Sequence, residues 1–258
     1  MISLICLGYS VASDSSLWSE IDLSYVSEEC LYRLPRTLVR RLKSVESFRF
    51  TRQTLLYPYA VENILSIVQH SHRLSSISFS HIRVTDKMLI DLFSNSKGSL
   101  RHVDMSICQI GSDCIISLVK HHPKLLTLDL SYTMLMDEGL LCLHHLENLT
   151  DLSLQGCYHL TYPCMAEFLR HKLPPRISKL NLSYLLTVHG EWLATLPSQA
   201  KFERLDVRHV DSITRKDVQS FHSRWGSGCE VLSTAKLESD DEDGWRQYVE
   251  EIITAQPM

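Results

Sequence analysis

Apolar positions recur along this chain in one short phrase: an apolar residue, two variable ones, an apolar, a variable and an apolar. The phrase begins at Leu74 (LSSISF), Leu100 (LRHVDM), Leu125 (LLTLDL), Leu149 (LTDLSL), Ile177 (ISKLNL) and Phe202 (FERLDV), with successive starts 26, 25, 24, 28 and 25 residues apart. Alternation with period two inside each phrase predicts a short strand buried on one side. In the copy from Leu100, the residues Leu100, Val103 and Met105 point inward, and Arg101, His102, Asp104 and Ser106 face out or line the open side of the sheet. Apolar residues three and four apart follow the strands: Ile115, Ile116, Leu118 and Val119 in one copy, Leu140, Leu141, Leu143 and Leu146 in the next, then Met165, Phe168 and Leu169. That spacing predicts one buried helical face per copy. Ser112, Asp137 and Thr214 stand just ahead of such stretches and are read as helix starts, because their side chains can satisfy free backbone N–H groups.

A strand and a helix recurring at this period cannot bury their apolar faces alone and must stack on neighbouring copies. The period falls in the range of leucine-rich repeats and outside that of heptads, propeller blades or helical pairs. The fold class is therefore α/β: a leucine-rich-repeat solenoid, or horseshoe, with parallel strands on the concave face and helices on the convex face. Looser copies open at Trp18 (WSEIDL), Val45 (VESFRF) and Cys229 (CEVLST), and extend the expected sheet at both ends. The expected division is residues 1–18 as an amino-terminal cap, 19–234 as repeats, and 235–258 as an acidic loop and carboxy-terminal cap. The run Glu238 to Asp243 is read as a solvated loop.

Composition narrows the function. A net charge of -4 with 22% charged residues supplies neither the basic field of a nucleic-acid binder nor the low hydrophobicity of a disordered chain. No apolar run approaches the roughly 18 residues of a membrane span, and the opening MISLICLGYSVA lacks the basic start of a signal peptide. The eight cysteines form no CxxC pair, and Cys108 and Cys157 recur at the same place, eight residues after Leu100 and Leu149. They read as reduced core thiols of a cytoplasmic or nuclear protein. Asn148-Leu149-Thr150 and Asn181-Leu182-Ser183 match a glycosylation pattern, but both overlap strands and are read as chance matches.

The pairs His121-His122 and His144-His145, and His70 with His72, are read as structural residues at helix ends, where a cation favours the helix dipole. No HExxH, CxxC or phosphate loop is present, and no nucleophile with a positioned base is visible, so no catalytic residue, metal or cofactor is expected. The concave face is the expected binding surface. Aligned copies stack equivalent residues about 4.8 Å apart. One column reads Ser78, Asp104, Asp129, Ser153, Asn181, Asp206; another reads Ser80, Ser106, Ser131, Gln155, Ser183, Arg208; beside it lie His81, Ile107, Tyr132, Gly156, Tyr184 and His209. Small hydroxyls flanked by Tyr132 and Tyr184 suit a polypeptide ligand, and Asp104 with Asp129 favours a basic segment. The expected protein-binding residues are Asp104, Asp129, Tyr132, Gln155, Asn181, Tyr184, Asp206 and His209. Alanine at Asp129 or Tyr132 is expected to cost no more than about 0.5 kcal/mol of stability, as for an ordinary surface position.

The amino-terminal stretch ICLGYSVASDSSLWSEIDLS resembles the last part of an F-box and the strand that follows it in F-box proteins with leucine-rich repeats. Cys6, Tyr9 (where that family usually has Trp) and Asp14-Ser15-Ser16-Leu17-Trp18 running into Ile21-Asp22-Leu23 carry the resemblance. The repeats resemble the family's cysteine-containing subtype through Cys108 or Cys157 and the helix starts Thr85-Asp86 and Asp137-Glu138. The resemblance implies the substrate-recognition component of an SCF-type ubiquitin ligase complex, with Leu17 and Trp18 facing the adaptor subunit or closing the array. The family's opening Leu-Pro helices, which make most of the adaptor contact, have no counterpart here, so the expected F-box is truncated and tight adaptor binding is not expected. The alternative is a repeat scaffold or assembly factor with no ligase link.

Overall fold

A computed structural model describes residues 19–24, 45–50, 65, 71–96, 99–197, 201–225 and 228–234. Leu17, Trp18, Cys6, Cys30, His70 and both expected caps, 1–18 and 235–258, lie outside the described residues.

Nine strands form one sheet in sequential order, each parallel to its neighbours: β1 (Glu20–Asp22), β2 (Ser47–Arg49), β3 (Ser76–Ser78), β4 (His102–Asp104), β5 (Thr127–Asp129), β6 (Asp151–Ser153), β7 (Lys179–Asn181), β8 (Arg204–Val207) and β9 (Glu230–Ser233). The looser copies at both ends thus join the same sheet. Between the strands lie α1 (Asp86–Asn95), α2 (Ser112–His121), α3 (Asp137–Cys142), α4 (Tyr162–Glu167), α5 (Gly190–Leu193) and α6 (Arg215–Trp225). The architecture is the expected α/β leucine-rich-repeat solenoid.

The register explains the phrase. Central strand residues Phe48, Ile77, Val103, Leu128, Leu152, Leu180 and Leu205 are partners across successive strands and all are buried. Flanking columns, such as Leu100, Leu125 and Leu149 before the strand and Met105, Leu130 and Leu154 after it, are fully buried. The three apolar positions of each copy therefore form three continuous rows through one core. Truncating a member such as Leu128 to alanine removes contacts on both sides, a loss of about 2–5 kcal/mol.

The helices follow the predicted faces with two corrections. On α2 the buried side chains are Cys114, Ile115, Leu118 and Val119. Ile116, one step of about 100° round from Ile115, is 40% exposed. Helix starts are also arranged differently. Thr85 and Thr161 are the residues whose hydroxyls accept from their own helices, at Met88 N and Cys164 N, and Thr214 forms a reciprocal box with Asp217. Asp86 and Asp137 instead reach the next repeat, accepting from Gly111 N–H (2.9 Å) and from Thr161 N–H and hydroxyl (2.9 and 2.6 Å). Ser112 likewise bonds Met136 of the following copy. The longest spacing among the six regular copies, 28 residues from Leu149 to Ile177, includes a wider π-helical turn after α4, over Phe168–Lys172.

The turn leaving each strand is closed from inside by one column: Ile82, Cys108, Thr133, Cys157, Leu185 and Val210, all buried. Cys108 Sγ–H donates to the Phe79 carbonyl of the preceding copy, and Cys157 Sγ–H to that of Leu130. Burial pushes both thiols up to about 12, so they stay protonated at neutral pH. The cysteines described are all free, and all except the half-buried Cys142 are buried.

His122 departs from the expected helix-end cation. It is 2% exposed and joins two copies: its Nδ1 accepts from Leu100 N–H (3.4 Å), which leaves the proton on Nε2 to donate to Phe93 O (3.2 Å). Burial pulls its pKa down from 6.5 to about 4. The neutral ring is therefore the native form. Its contribution is complete above pH 6.5 and lost as pH falls towards about 4. Urea unfolding at pH 7 and pH 5 is expected to show lower stability at pH 5, and His122→Gln, which cannot charge, is expected to flatten that difference while costing about 1–3 kcal/mol at pH 7.

Candidate functional site

The open face of the sheet carries the first and third residues of each strand. Third-position residues form the column Arg49, Ser78, Asp104, Asp129, Ser153, Asn181, Asp206 in register. Their side chains have local duties. Asp104 Oδ1 accepts from Ser106 N–H and hydroxyl (3.0 and 2.7 Å), and its Oδ2 accepts from the Ser78 hydroxyl. Asp129 Oδ1 accepts from Ser131 N–H (2.9 Å) and hydroxyl (2.5 Å), and Asn181 Oδ1 takes the same two bonds from Ser183 (3.0 and 2.7 Å). Asp22 Oδ1 accepts from Ser24 N–H. These are Asx turns: the carboxylate or amide captures the backbone N–H two residues on and turns the chain out of the sheet.

Beside them lies a column with a shared backbone feature. His81, Ile107, Tyr132, Gly156, Tyr184 and His209 all have φ between 55 and 62°. Each of the first five donates its N–H to a carbonyl of the following copy, as Ile107 does to Ser131 O (2.7 Å) and Tyr132 to Gln155 O (2.7 Å). The left-handed conformation aims that N–H along the sheet. Tyr132, Tyr184 and His209 are thus turn residues first. Their rings lie along the rim: Tyr184 stacks on His209 at 4.2 Å, and Tyr132 meets Tyr158 at 6.3 Å.

Gln155 Nε2 donates to Tyr132 Oη (2.9 Å) and Asn181 Nδ2 donates to Gln155 Oε1 (3.3 Å), which ties Asn181, Gln155 and Tyr132 into one chain. This leaves the Asn181 amide committed within the sheet, as its strand position implies. Asp206 is 4% exposed and paired bidentately with Arg208.

A trough of about 630 Å³ opens over β3–β6, with Arg49 at one edge. Asp104 and Asp129 line it. The other expected residues, Tyr132, Gln155, Asn181, Tyr184, Asp206 and His209, do not. The trough adds first-position residues: Ser76, His102, Thr127 and Asp151. The alternation that puts Asp104 on this face puts His102 there too, so the signal was present for the whole first-position column. His102 Nδ1 lies 3.0 Å from Thr127 Oγ1. The Asp151 carboxylate accepts no hydrogen bond among the described residues. Burial raises the Asp129 carboxyl above its ordinary range against the lowering effect of Ser131, and the charges of Asp104 and Asp151 add to the rise. Burial raises Asp151 too, opposed by Lys179 and Arg204.

Among the described residues no group of three or more His, Cys, Asp or Glu is placed to hold a metal ion, and no helix is long and apolar enough to cross a membrane.

No family model matches the sequence, and no curated protein matches it. Solved structures do match. They include Rad7 from the crystal structure of the Rad7 and Elc1 complex in yeast (15% identity, TM-score 0.47, 80% of this chain). Others are an internalin, inlF, from Listeria monocytogenes (13%, 0.47, 77%) and TLR13 in its complex with ssRNA13 (14%, 0.45, 82%). The matches span 66%, 63% and 35% of those chains, so this chain covers less than two thirds of each.

The Asx turns revise the expected stability cost. Asp129→Ala leaves Ser131 N–H without its acceptor and is expected to lose about 1–2 kcal/mol, above the 0.5 kcal/mol of a free surface residue. Asp129→Asn keeps the acceptor, as Asn181 does, and is expected to match or exceed the parent in urea unfolding. Gly156→Ala is expected to cost about 1–3 kcal/mol, because a Cβ at φ +61° would stand 2.3 Å from Tyr132 Cε1.

Proposed function

We propose that this chain is a protein-binding leucine-rich-repeat module whose sheet face takes a polypeptide, acting as the substrate-recognition component of an SCF-type ubiquitin ligase. The binding part rests on one observation, the trough over β3–β6. Four adjacent strands present a continuous concave surface of hydroxyls, carboxylates and an imidazole, about 630 Å³ in volume. A stack of short strands offers extended contact and no enclosed cavity for chemistry, which is the geometry of recognition. Tyr132, Gln155, Asn181, Tyr184, Asp206 and His209 form the continuing rim beyond the trough.

The ligase part rests on the sequence resemblance of Cys6 to Leu23 to the end of an F-box and its following strand, and on the cysteine-containing repeats. Cys108 and Cys157 support the second point through their bonds to the preceding copy. In this reading Leu17 and Trp18 face the adaptor.

Two measurements test the parts separately. A photo-crosslinking residue at Thr127, in the trough, is expected to form polypeptide adducts in cell extract that the same residue at the convex Ile116 does not form; equal yields at both positions would remove the sheet face from the proposal. Purified SCF adaptor is expected to be retained tightly by a version with a complete F-box ahead of Met1 and at most weakly by the chain itself. Retention by the grafted version alone makes the chain a recognition arm that needs a supplied F-box, and retention by neither leaves a scaffold with no ligase link.

A further inference from the structure

Five carboxylates elsewhere on or beside the strands come with a cation. Asp22 lies 3.8 Å from Arg49, Glu46 2.8 Å from Arg73, Glu203 4.0 Å from Lys179, Asp206 2.7 Å from Arg208 and Glu230 3.8 Å from Arg204. The three on β4–β6 make no such contact: among the described residues no Lys, Arg or His nitrogen comes within 4.0 Å of Asp104, Asp129 or Asp151, and Lys179, the register partner of Asp151, acts on it with Arg204 only from farther away.

The arrangement is unfavourable for the isolated protein. Asp104 and Asp129 are direct register partners on adjacent strands, where like charges destabilise a sheet. Asp151 is diagonal to Asp129, since Asp151 pairs with Thr127 and Ser153 with Asp129. Turn formation does not require the charge, because Asn181 makes the same two bonds as a neutral amide. At Asp151 no hydrogen bond is at stake. These three negative charges therefore exceed what folding uses, and they face the trough that Asp104, Asp129 and Asp151 line together.

Resting on the reading that the sheet face takes a polypeptide, we infer that the occupant of the trough is a basic segment, with a lysine or arginine side chain seated between Asp129 and Asp151. Of the two Asp129 oxygens, Oδ1 is held by Ser131 and Oδ2 faces no described hydrogen-bond donor. The diagonal separation of such residues, about 7–8 Å between backbones, leaves room for one cation that touches both carboxylates. Thr127 and His102 supply polar contacts to the peptide backbone beside it. The absence of a close ion-pair partner is also the basis of discrimination, since an acidic or apolar segment would desolvate the three carboxylates without supplying one, and Lys179 and Arg204 offset only Asp151 and only in part.

The test uses the full chain and two fluorescent nonapeptides, one with three lysines and one with three arginines spaced by Gly and Ser, and a third with glutamates in those places. Anisotropy at about 50 mM salt is expected to show binding of the basic peptides alone. The Asp129→Asn, Asp151→Asn double variant is expected to bind them at least about tenfold more weakly, with its urea midpoint equal to or above that of the parent. A charge-matched control, Asp113→Asn with Glu147→Gln on exposed positions, is expected to bind as the parent does. The inference is overturned if the double variant and the control bind alike, or if neither basic peptide binds. In either case adducts at Thr127 would still support a polypeptide on this face, so the broader proposal stands or falls separately.

Discussion

Everything in this structure follows from the need to satisfy backbone groups across consecutive copies. A strand of three residues offers too few hydrogen bonds to hold a sheet, and buried N–H and C=O groups without partners are costly. The chain meets this by extending the ladder past the strand ends. Arg101 and His102 N–H both donate to Ser75 O, Met105 N–H to Asp129 O, and Ile107 N–H to Ser131 O. The last of these requires φ near +60°, which five non-glycine residues accept. A left-handed residue normally costs of order 1 kcal/mol, and here the ladder bond and the buried turn beneath it hold the conformation. Asp or Asn at the end of the strand closes the same turn from the sheet face, and Cys108, Thr133 or Cys157 closes it from the core.

The apolar frame was legible because it needs only residue class and spacing. Leu100, Val103 and Met105 can go nowhere but inward once the period is recognised, and the register bears that out through every copy from Val45 to Phe202. The turn was not legible, since His, Ile, Tyr and Gly share its left-handed column and only Gly156 carries a backbone signal. Tyr132 and Tyr184 stand in that column, and their side chains gave no sign of the turn beneath them. Helix starts failed differently. Asp137 has the right chemistry for a cap, but its carboxylate is consumed by Thr161 in the next copy, a contact 24 residues away in sequence that local pattern cannot distinguish from capping. His122 was read as a helix-end cation because the sequence does not separate it from His121; His121 ends α2, and His122, the next residue, leaves the helix and is buried.

The sheet face divides into two kinds of polar residue. Ser106, Ser131, Ser183 and Arg208 serve the turns, and Asp206 is neutralised by Arg208 at 2.7 Å. His102, Thr127 and Asp151 stand at first strand positions, where no turn needs them. The third residue of such a strand thus closes the turn, and the first is left without that duty. Asp129 both serves its turn and lines the trough: the Asx bond to Ser131 fixes its carboxylate through Oδ1, whereas in Asp104 the second oxygen is also taken, by Ser78. Such preorganisation lowers the entropy lost on binding.

Because each copy touches only its neighbours, energy put into one interface does not spread along the array. Asp104, Asp129 and Asp151 sit on three consecutive copies, so the repulsion among them falls on the two interfaces between β4 and β6 and on no others. The same two interfaces are bound by fully buried rows of leucine and methionine, by the Met105 N–H donating to Asp129 O and by the hydroxyl pair Ser131 and Ser153. The centre of the array can therefore hold carboxylates without a close ion-pair partner, which an end copy, packed on one side, would tolerate less well. A ligand cation seated between Asp129 and Asp151 would join two copies through one contact, and would tighten the interface between β5 and β6.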